Sequence, residues 1–424
     1  MRYAAVEASR QLAAPWVSVA DALRSWTAKG PLNVAPARVV ATALGTWADA
    51  VRRWPKPEFG VGPVIAAGES TPRAVQDCLA VETPFCGLRR FELLPPVESM
   101  VQRNMAMDTR PTPARRQILL VAPLSGNFAT LLRDTVSGLL TEGDVWLTDW
   151  RCASEVPLGE GDLGLDDFVA LLQRFLRHIA DIAPSEAGCH LVAVCQPGVA
   201  ALAAAALLKE AGDDAAPASI ALLGCPIDPR VNPKVPNRLA FDRPLAWFEH
   251  NLLQTVPAGF AGVGRRVYPG HLQHLAFLCL KPHYHVEKHT GALLAAWRGD
   301  HEGVATHDAF YREFRATLDL PATFYLDTID RVFQRAELAR GAMVVAGQAV
   351  DLAVLASTPL LAVEGELDDI TGPGQTAAAL SLCGAATAAR RHHLQPGVGH
   401  LGLFSGSRFL AEVMPVLAAH LEAA

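Results

Sequence analysis

The stretch Leu-Val-Ala-Val-Cys-Gln-Pro-Gly-Val-Ala-Ala-Leu-Ala, residues 191–203, decides the fold. Residues 189–194 read as a buried strand, Cys195 as a sharp bend, and the Ala-rich run from Gly198 as a helix. Strand, bend and helix in that order make a nucleophile elbow, a strained turn that lifts one side chain to the top of an α/β sheet. The usual elbow centres on serine with glycine two positions to either side, whereas here Ala193 and Pro197 flank a sulfur nucleophile. A cysteine in apolar surroundings is by itself ordinary core material. Its function has to be read from the rest of the chain.

Two later segments supply that reading. Leu-Leu-Ala-Val-Glu-Gly-Glu-Leu-Asp-Asp-Ile (360–370) is a short apolar strand running into an acidic loop, and Pro-Gly-Val-Gly-His-Leu-Gly (396–402) sets a histidine among glycines ahead of a terminal helix. In the α/β-hydrolase layout the triad follows the chain order nucleophile, acid, histidine. That order here is Cys195, Asp368 or Asp369, and His400. A thiol attacks as thiolate, so Cys195 needs the imidazole of His400 as base, and a carboxylate on the other ring nitrogen fixes the tautomer. Asp368 is the preferred acid, because it is the first polar residue where the loop turns away from the strand, and Asp369 is then a cap or loop ligand. The oxyanion needs backbone N–H donors, assigned to Gln196 and, in Pro-Leu-Ser-Gly-Asn (123–127), to Leu124. Ser125 is a weaker nucleophile candidate because it lacks the elbow.

Composition narrows the class. A net charge of −6 with 19% charged residues and a pI near 6.2 argue against a nucleic-acid binder. The longest apolar run, 198–208, is too short for a bilayer span and stops at Lys209-Glu210, so no transmembrane segment is expected. The N-terminus lacks the apolar core of a secretory signal, which points to a cytoplasmic protein. Eight cysteines without Cys-x-x-Cys pairs fit reduced thiols, with no disulfide framework or zinc site. His271-x-x-His274 and His283-x-His285 have metal-like spacing but no neighbouring carboxylate or cysteine completes a set, so they read as a polar lining.

The pattern predicts four regions: a helical N-terminal extension over 1–110, the first part of an α/β-hydrolase core over 111–225, a cap insertion over 226–325, and the rest of the core over 326–424. Helical periodicity marks Val39–Arg53 in the extension, which ends in loop-like stretches at 95–98 and 108–113. Strand and helix alternate from Gln117, implying a mostly parallel sheet with helices on both faces. Leu165, Phe168, Val169, Leu172, Phe175, Leu176 and Ile179 recur at helical spacing, with Asp166 and Asp167 in the first turn. After Gly224 the alternation gives way to an irregular run rich in Trp, Pro, Phe and Tyr, and the sheet resumes at Leu360.

The chain also resembles a known family over Lys56 to the end. The motifs are Lys-Pro-Glu-Phe-Gly (56–60), Ala-Pro-Leu-Ser-Gly (122–126), Ala-Thr-Leu-Leu-Arg (129–133), Thr-Asp-Trp-Arg (148–151) and Val-Cys-Gln-Pro-Gly (194–198). They continue with Trp-Phe-Glu-His-Asn (247–251), Val-Tyr-Pro-Gly (267–270), Phe-Tyr-Leu-Asp-Thr (324–328), Val-Glu-Gly-Glu-Leu-Asp-Asp-Ile (363–370), Gly-Gln-Thr (374–376) and Gly-His-Leu-Gly (399–402). These resemble the intracellular polyhydroxyalkanoate depolymerases of the polyhydroxybutyrate type, which carry cysteine in the elbow. The resemblance implies attack of Cys195 on a polyester bond, a 3-hydroxyacyl thioester, and release to water, at the amorphous polymer of storage granules. It implies no cofactor, with coenzyme A open as an alternative acyl acceptor. The cap aromatics Trp247, Phe248, Tyr268 and Phe277 are candidates for polyester contact or for the cap's own core. Asn127 departs from the family's Ser-Gly-His loop, and the histidines of 269–274 and the stretch 281–289 depart from its usual sequence. A polyhydroxyalkanoate synthase or a catalytically silent granule protein are the rival readings, and Val-Cys-Gln-Pro with Glu-Leu-Asp-Asp favours the depolymerase.

Overall fold

The computed structural model describes residues 3–30, 32–95, 115–184, 188–385 and 388–424. Its centre is an eight-stranded sheet built from β1 (Val75–Glu82), β2 (Cys86–Leu93), β3 (Arg116–Val121), β4 (Gly143–Trp150), β5 (Cys189–Val194), β6 (Ser219–Leu223), β7 (Leu360–Gly365) and β8 (Arg390–Gln395). The spatial order is β1-β2-β4-β3-β5-β6-β7-β8. From β4 to β8 every neighbour pairs in parallel, while β2 runs antiparallel to both β1 and β4. Strands β4, β5 and β6 are buried along their whole length, as parallel strands covered by helices on both faces must be. This order and direction define the α/β-hydrolase fold.

Chemistry at the sheet's upper end depends on how its covering helices pack. After the short helix α3 (Arg133–Leu139), helix α4 (Leu165–Ile182) buries all seven periodic apolar residues, and Trp150 stacks on its Phe168 at 4.4 Å, which stacks on Phe324 at 5.3 Å. Its first turn is bound from two sides: Asp167 accepts from Gly164 N–H at 2.8 Å and Asp327 accepts from Leu165 N–H at 2.9 Å. Helix α5 (Gly198–Glu210) has no polar face over its first eleven residues, all buried, because it is sandwiched behind the elbow.

The sequence expectation for 1–110 is corrected in part. Helices α1 (Tyr3–Lys29) and α2 (Ala35–Val51) do form an N-terminal helical hairpin, but β1 and β2 belong to the central sheet. Their polar residues disguise them. Arg89 pairs with Asp77 at 2.7 Å on the neighbouring strand and with Asp149 at 3.1 Å on β4, so charged side chains are neutralised across the sheet edge while Leu88 and Phe91 fill the core. The loop-like stretches 95–98 and 108–113, apart from Pro95, and the boundary at 110/111 lie outside the described residues.

The insertion between β6 and β7 is more regular than its sequence suggests. It contains α6 (Val235–Asp242), α7 (Leu245–Leu252), α8 (Gly270–Leu280), α9 (Pro282–Arg298), α10 (His301–Arg315) and α11 (Ala322–Asp327). Residue 325 therefore falls inside a helix, and pairing in the central sheet resumes only at Leu360. Phe248 and Tyr268 are interior, Tyr268 stacking on Tyr325 at 4.2 Å, so they form the cap's own core. The N-terminal hairpin braces the cap: Arg38 donates to the Ala296 and Trp297 carbonyls at 2.7 and 3.0 Å, and Tyr3 donates to buried Asp319 at 2.7 Å. Among the described residues no helix is long and apolar enough to cross a membrane. Replacing the wholly buried Leu172 by alanine is expected to cost about 2–5 kcal/mol, read as a lowered urea midpoint at unchanged slope.

Candidate active site

Cys195 follows directly on β5 and has φ +65°, a left-handed conformation that a non-glycine residue adopts only when its surroundings enforce it. The enforcement is visible: Cys195 N–H donates to Leu223 O at 2.9 Å, tying the bend to β6, and Gly198 N–H closes the turn on Cys195 O at 3.2 Å. Pro197 heads α5 and its carbonyl accepts from Ala201 N–H at 2.8 Å. The glycine that this elbow requires is Gly198. A Cβ there would lie 2.5 Å from Cys225 Cβ and 2.6 Å from its sulfur. The close approach has thus moved one residue into the helix, which leaves Pro197 free to initiate it.

The loop after β7 presents Asp368, which is buried. Its Oδ1 accepts from Ile370 and Thr371 N–H, both at 2.8 Å, and its Oδ2 accepts from His400 Nδ1 at 2.7 Å. Asp369 points elsewhere and pairs with Lys281, at the start of α9, at 3.1 Å. His400 opens a short 3-10 turn and is buried, with Phe404 edge-on at 5.5 Å. Burial pushes its pKa down, but the charges of Asp368 and Cys195 and the hydrogen bond to Asp368 outweigh this and hold it well above the ordinary imidazole value. Asp368 takes Nδ1, so buried Nε2, which has no hydrogen-bond partner among the described residues, is the ring nitrogen left for the Cys195 thiol. The structure therefore brings together Cys195, His400 and Asp368.

Leu124 and Gln196 lie at the ends of neighbouring strands β3 and β5. The turn after β3 is fixed by Thr148, which accepts from Ala122 N–H at 2.8 Å, and by the Trp150 indole, which donates to Ala122 O at 2.8 Å. Neither the Leu124 nor the Gln196 backbone N–H finds an acceptor among the described residues. Beyond them, Gly126 accepts from Leu318 N–H at 2.7 Å, and Asn127 donates to Phe314 O at 3.2 Å. Asn127 is thus a clasp between this loop and the cap. Ser125 bonds to no base among the described residues.

Three features escaped the sequence reading. Gly224, at φ +60°, leaves room for the imidazole, because a Cβ there would sit 3.1 Å from His400 Cε1 and 3.3 Å from Nδ1. The Gln196 carboxamide is buried with neither atom paired. Glu364 accepts from Gly374, Thr376 and Ala377 N–H at 2.8–3.0 Å and from His392 at 2.8 Å, so it organises the loop behind Asp368. A glycine directly after an apolar strand was the one available signal for the first. The cap histidines pack on aromatics: His271 on Tyr3, His274 on Phe314, and His285 bonds Tyr311 at 2.8 Å. Among the described residues no group of three His, Cys, Asp or Glu is arranged to hold a metal.

Fold and site together define an α/β hydrolase with a thiol where the nucleophile stands. Residues 224–424 match the family model described as PHB de-polymerase C-terminus. No curated protein is matched by the chain. Among solved structures it is similar to DcsB in complex with its substrate analogue (14% identity, 82% of this chain and 98% of that one, TM-score 0.43). It is also similar to a soluble variant of the monoglyceride lipase of Saccharomyces cerevisiae (14%, 83% and 95%, TM-score 0.44). A third is an esterase of Pyrobaculum calidifontis (12%, 92% and 91%, TM-score 0.42).

Two outcomes are expected. Gly224→Ala should displace the imidazole and strain the left-handed bend, lowering stability by about 1–2 kcal/mol and ester turnover by more than that loss explains, as measured by thermal unfolding beside initial rates. A raised folded-state pKa means that the stabilisation from His400 is complete below its unfolded value of about 6.5 and fades as pH climbs through the folded value. The stability gap between the native protein and Asp368→Asn should accordingly narrow above neutral pH in urea titrations.

Proposed function

We propose that this protein is a polyester depolymerase that cleaves poly(3-hydroxybutyrate)-type storage polymer in the cytoplasm, at the granule, through a Cys195–His400–Asp368 triad. The observation that carries the reading is the His400–Asp368 contact at 2.7 Å beside a cysteine on a left-handed elbow. The polymer as substrate is supported by the family match over 224–424.

In the first half-reaction the Cys195 thiolate attacks the ester carbonyl carbon, and the carbonyl electron pair moves onto oxygen, facing the Leu124 and Gln196 N–H donors. The tetrahedral adduct collapses, the C–O bond to the departing chain breaks, and imidazolium His400 protonates the alkoxide. A 3-hydroxyacyl thioester remains on Cys195. In the second half-reaction neutral His400 takes a proton from water, the hydroxide attacks the thioester, and collapse returns the thiolate and releases the carboxylic acid. Asp368 stabilises the imidazolium in both halves without itself being protonated. No cofactor enters this scheme. A thiol such as that of coenzyme A is chemically able to replace water, since the acyl group is already a thioester.

Cys195→Ala is expected to lower release of soluble 3-hydroxyacids from amorphous polymer by at least about a thousandfold, measured by chromatography of the products. Unchanged release would overturn the reading. Free coenzyme A and a growing polymer from 3-hydroxybutyryl-CoA would mark a synthase instead, and a native protein as inert as Cys195→Ala would mark a silent granule protein. Because Asp368 helps to hold the His400 pKa up, Asp368→Asn should move the alkaline limb of kcat/KM to lower pH as well as reduce its height.

A further inference from the structure

Helix α1 spans 27 residues and packs one side on α2, yet the side flanking it carries Leu12, Trp16, Val19, Leu23 and Trp26. Their spacing of four, three, four and three residues keeps them within an arc of about 80°. Leu12, Trp16, Val19 and Trp26 are 79%, 67%, 57% and 59% exposed. These four side chains present on the order of 500 Å² of apolar surface, at the upper end for a soluble monomer. Helix α2 carries a second exposed stripe of Val40, Leu44 and Trp47.

The indoles say what such a stripe suits. Trp54, Trp146 and Trp150, which are at least partly buried, each donate their N–H to a protein oxygen at 2.7–2.9 Å. Trp16, Trp26 and Trp47 have no such acceptor among the described residues. Within its arc the α1 stripe has neither a charge nor a carboxylate. It is therefore a neutral, donor-bearing surface. A second copy laid on it would press indole donors against indole donors and bury them unpaired. An anionic lipid surface calls for a basic polar face, and α1 has only three basic residues against two acidic ones. A linear polyester is uncharged and apolar, and its ester carbonyls accept hydrogen bonds without donating any.

We infer that α1 is the face by which the enzyme adsorbs to amorphous polyester, its tryptophans lying in the surface layer and donating to ester carbonyls. This rests on the polyester-hydrolase reading above. The hairpin that bears this face also touches the cap: α2 grips the C-terminal end of α9 through Arg38, and Lys281 at the other end of α9 pairs with Asp369, next to Asp368 in sequence.

The test is cosedimentation of the full-length protein with amorphous poly(3-hydroxybutyrate) granules, beside turnover of the soluble 3-hydroxybutyrate trimer. Trp16→Glu/Trp26→Glu should adsorb at least tenfold more weakly while its kcat/KM on the trimer stays within twofold and its melting temperature is kept. Trp16→Phe/Trp26→Phe, which retains the rings and loses the donors, should fall between. Adsorption equal to the native protein's overturns the proposal. So does a native dimer that the Glu variant dissociates in light scattering, or equally tight, tryptophan-dependent binding to phosphatidylglycerol vesicles. Tryptophan-dependent adsorption by a native protein that hydrolyses neither trimer nor polymer would sink the depolymerase reading and leave the adsorbing face standing.

Discussion

The left-handed backbone at Cys195 is the constraint on which the rest of the molecule turns. A non-glycine residue is held there at an energetic cost, and the hydrogen bond from its N–H to Leu223 O, together with the contact of Gly198 with Cys225, keeps it there. Both restraints come from the neighbouring strand β6 and the residues just after it. The elbow is therefore only as firm as the β5–β6 pairing, which explains why the strands and α5 around it are so completely buried.

Opposite this fixed thiol the polar partners are held by a second layer of contacts. Asp368 is pinned by two backbone donors, the loop behind it is gathered by Glu364, and Gly224 clears the space that His400 occupies. The imidazole is driven in two directions. Burial disfavours its charge, while the aspartate and cysteine favour it more strongly, and the balance favours the protonated ring beside the sulfur. That electrostatic state is what a thiol needs to become a nucleophile near neutral pH.

Much of this was legible in the chain because it rests on local patterns. The elbow is a strand, a bend and an apolar helix within fifteen residues, and α4 announces itself by seven apolar positions at helical spacing, all of which are buried. The preference for Asp368 over Asp369 came from its place at the strand end, and it is Asp368 that reaches His400. What stayed hidden depends on contacts between distant segments. Strand β2 carries Arg89, whose charge is met by Asp77 on β1 and Asp149 on β4. The cap's helices are masked by prolines and aromatics that make sense only once Tyr268 stacks on Tyr325. Asn127 looked like a loss from a motif, and its amide instead fastens the loop to Phe314 O.

The pairing of β6 with β7 spans the whole insertion from Gly224 to Pro359. Closing so long a loop adds little to the equilibrium penalty, which grows only logarithmically, but contacts between such remote segments form slowly. During synthesis the thiol-bearing elbow is made long before the segment that brings Asp368 and His400. Under the proposed triad, a nascent or half-folded chain holds the Cys195 thiol without its base, and the two meet only when the last strands of the sheet are in place.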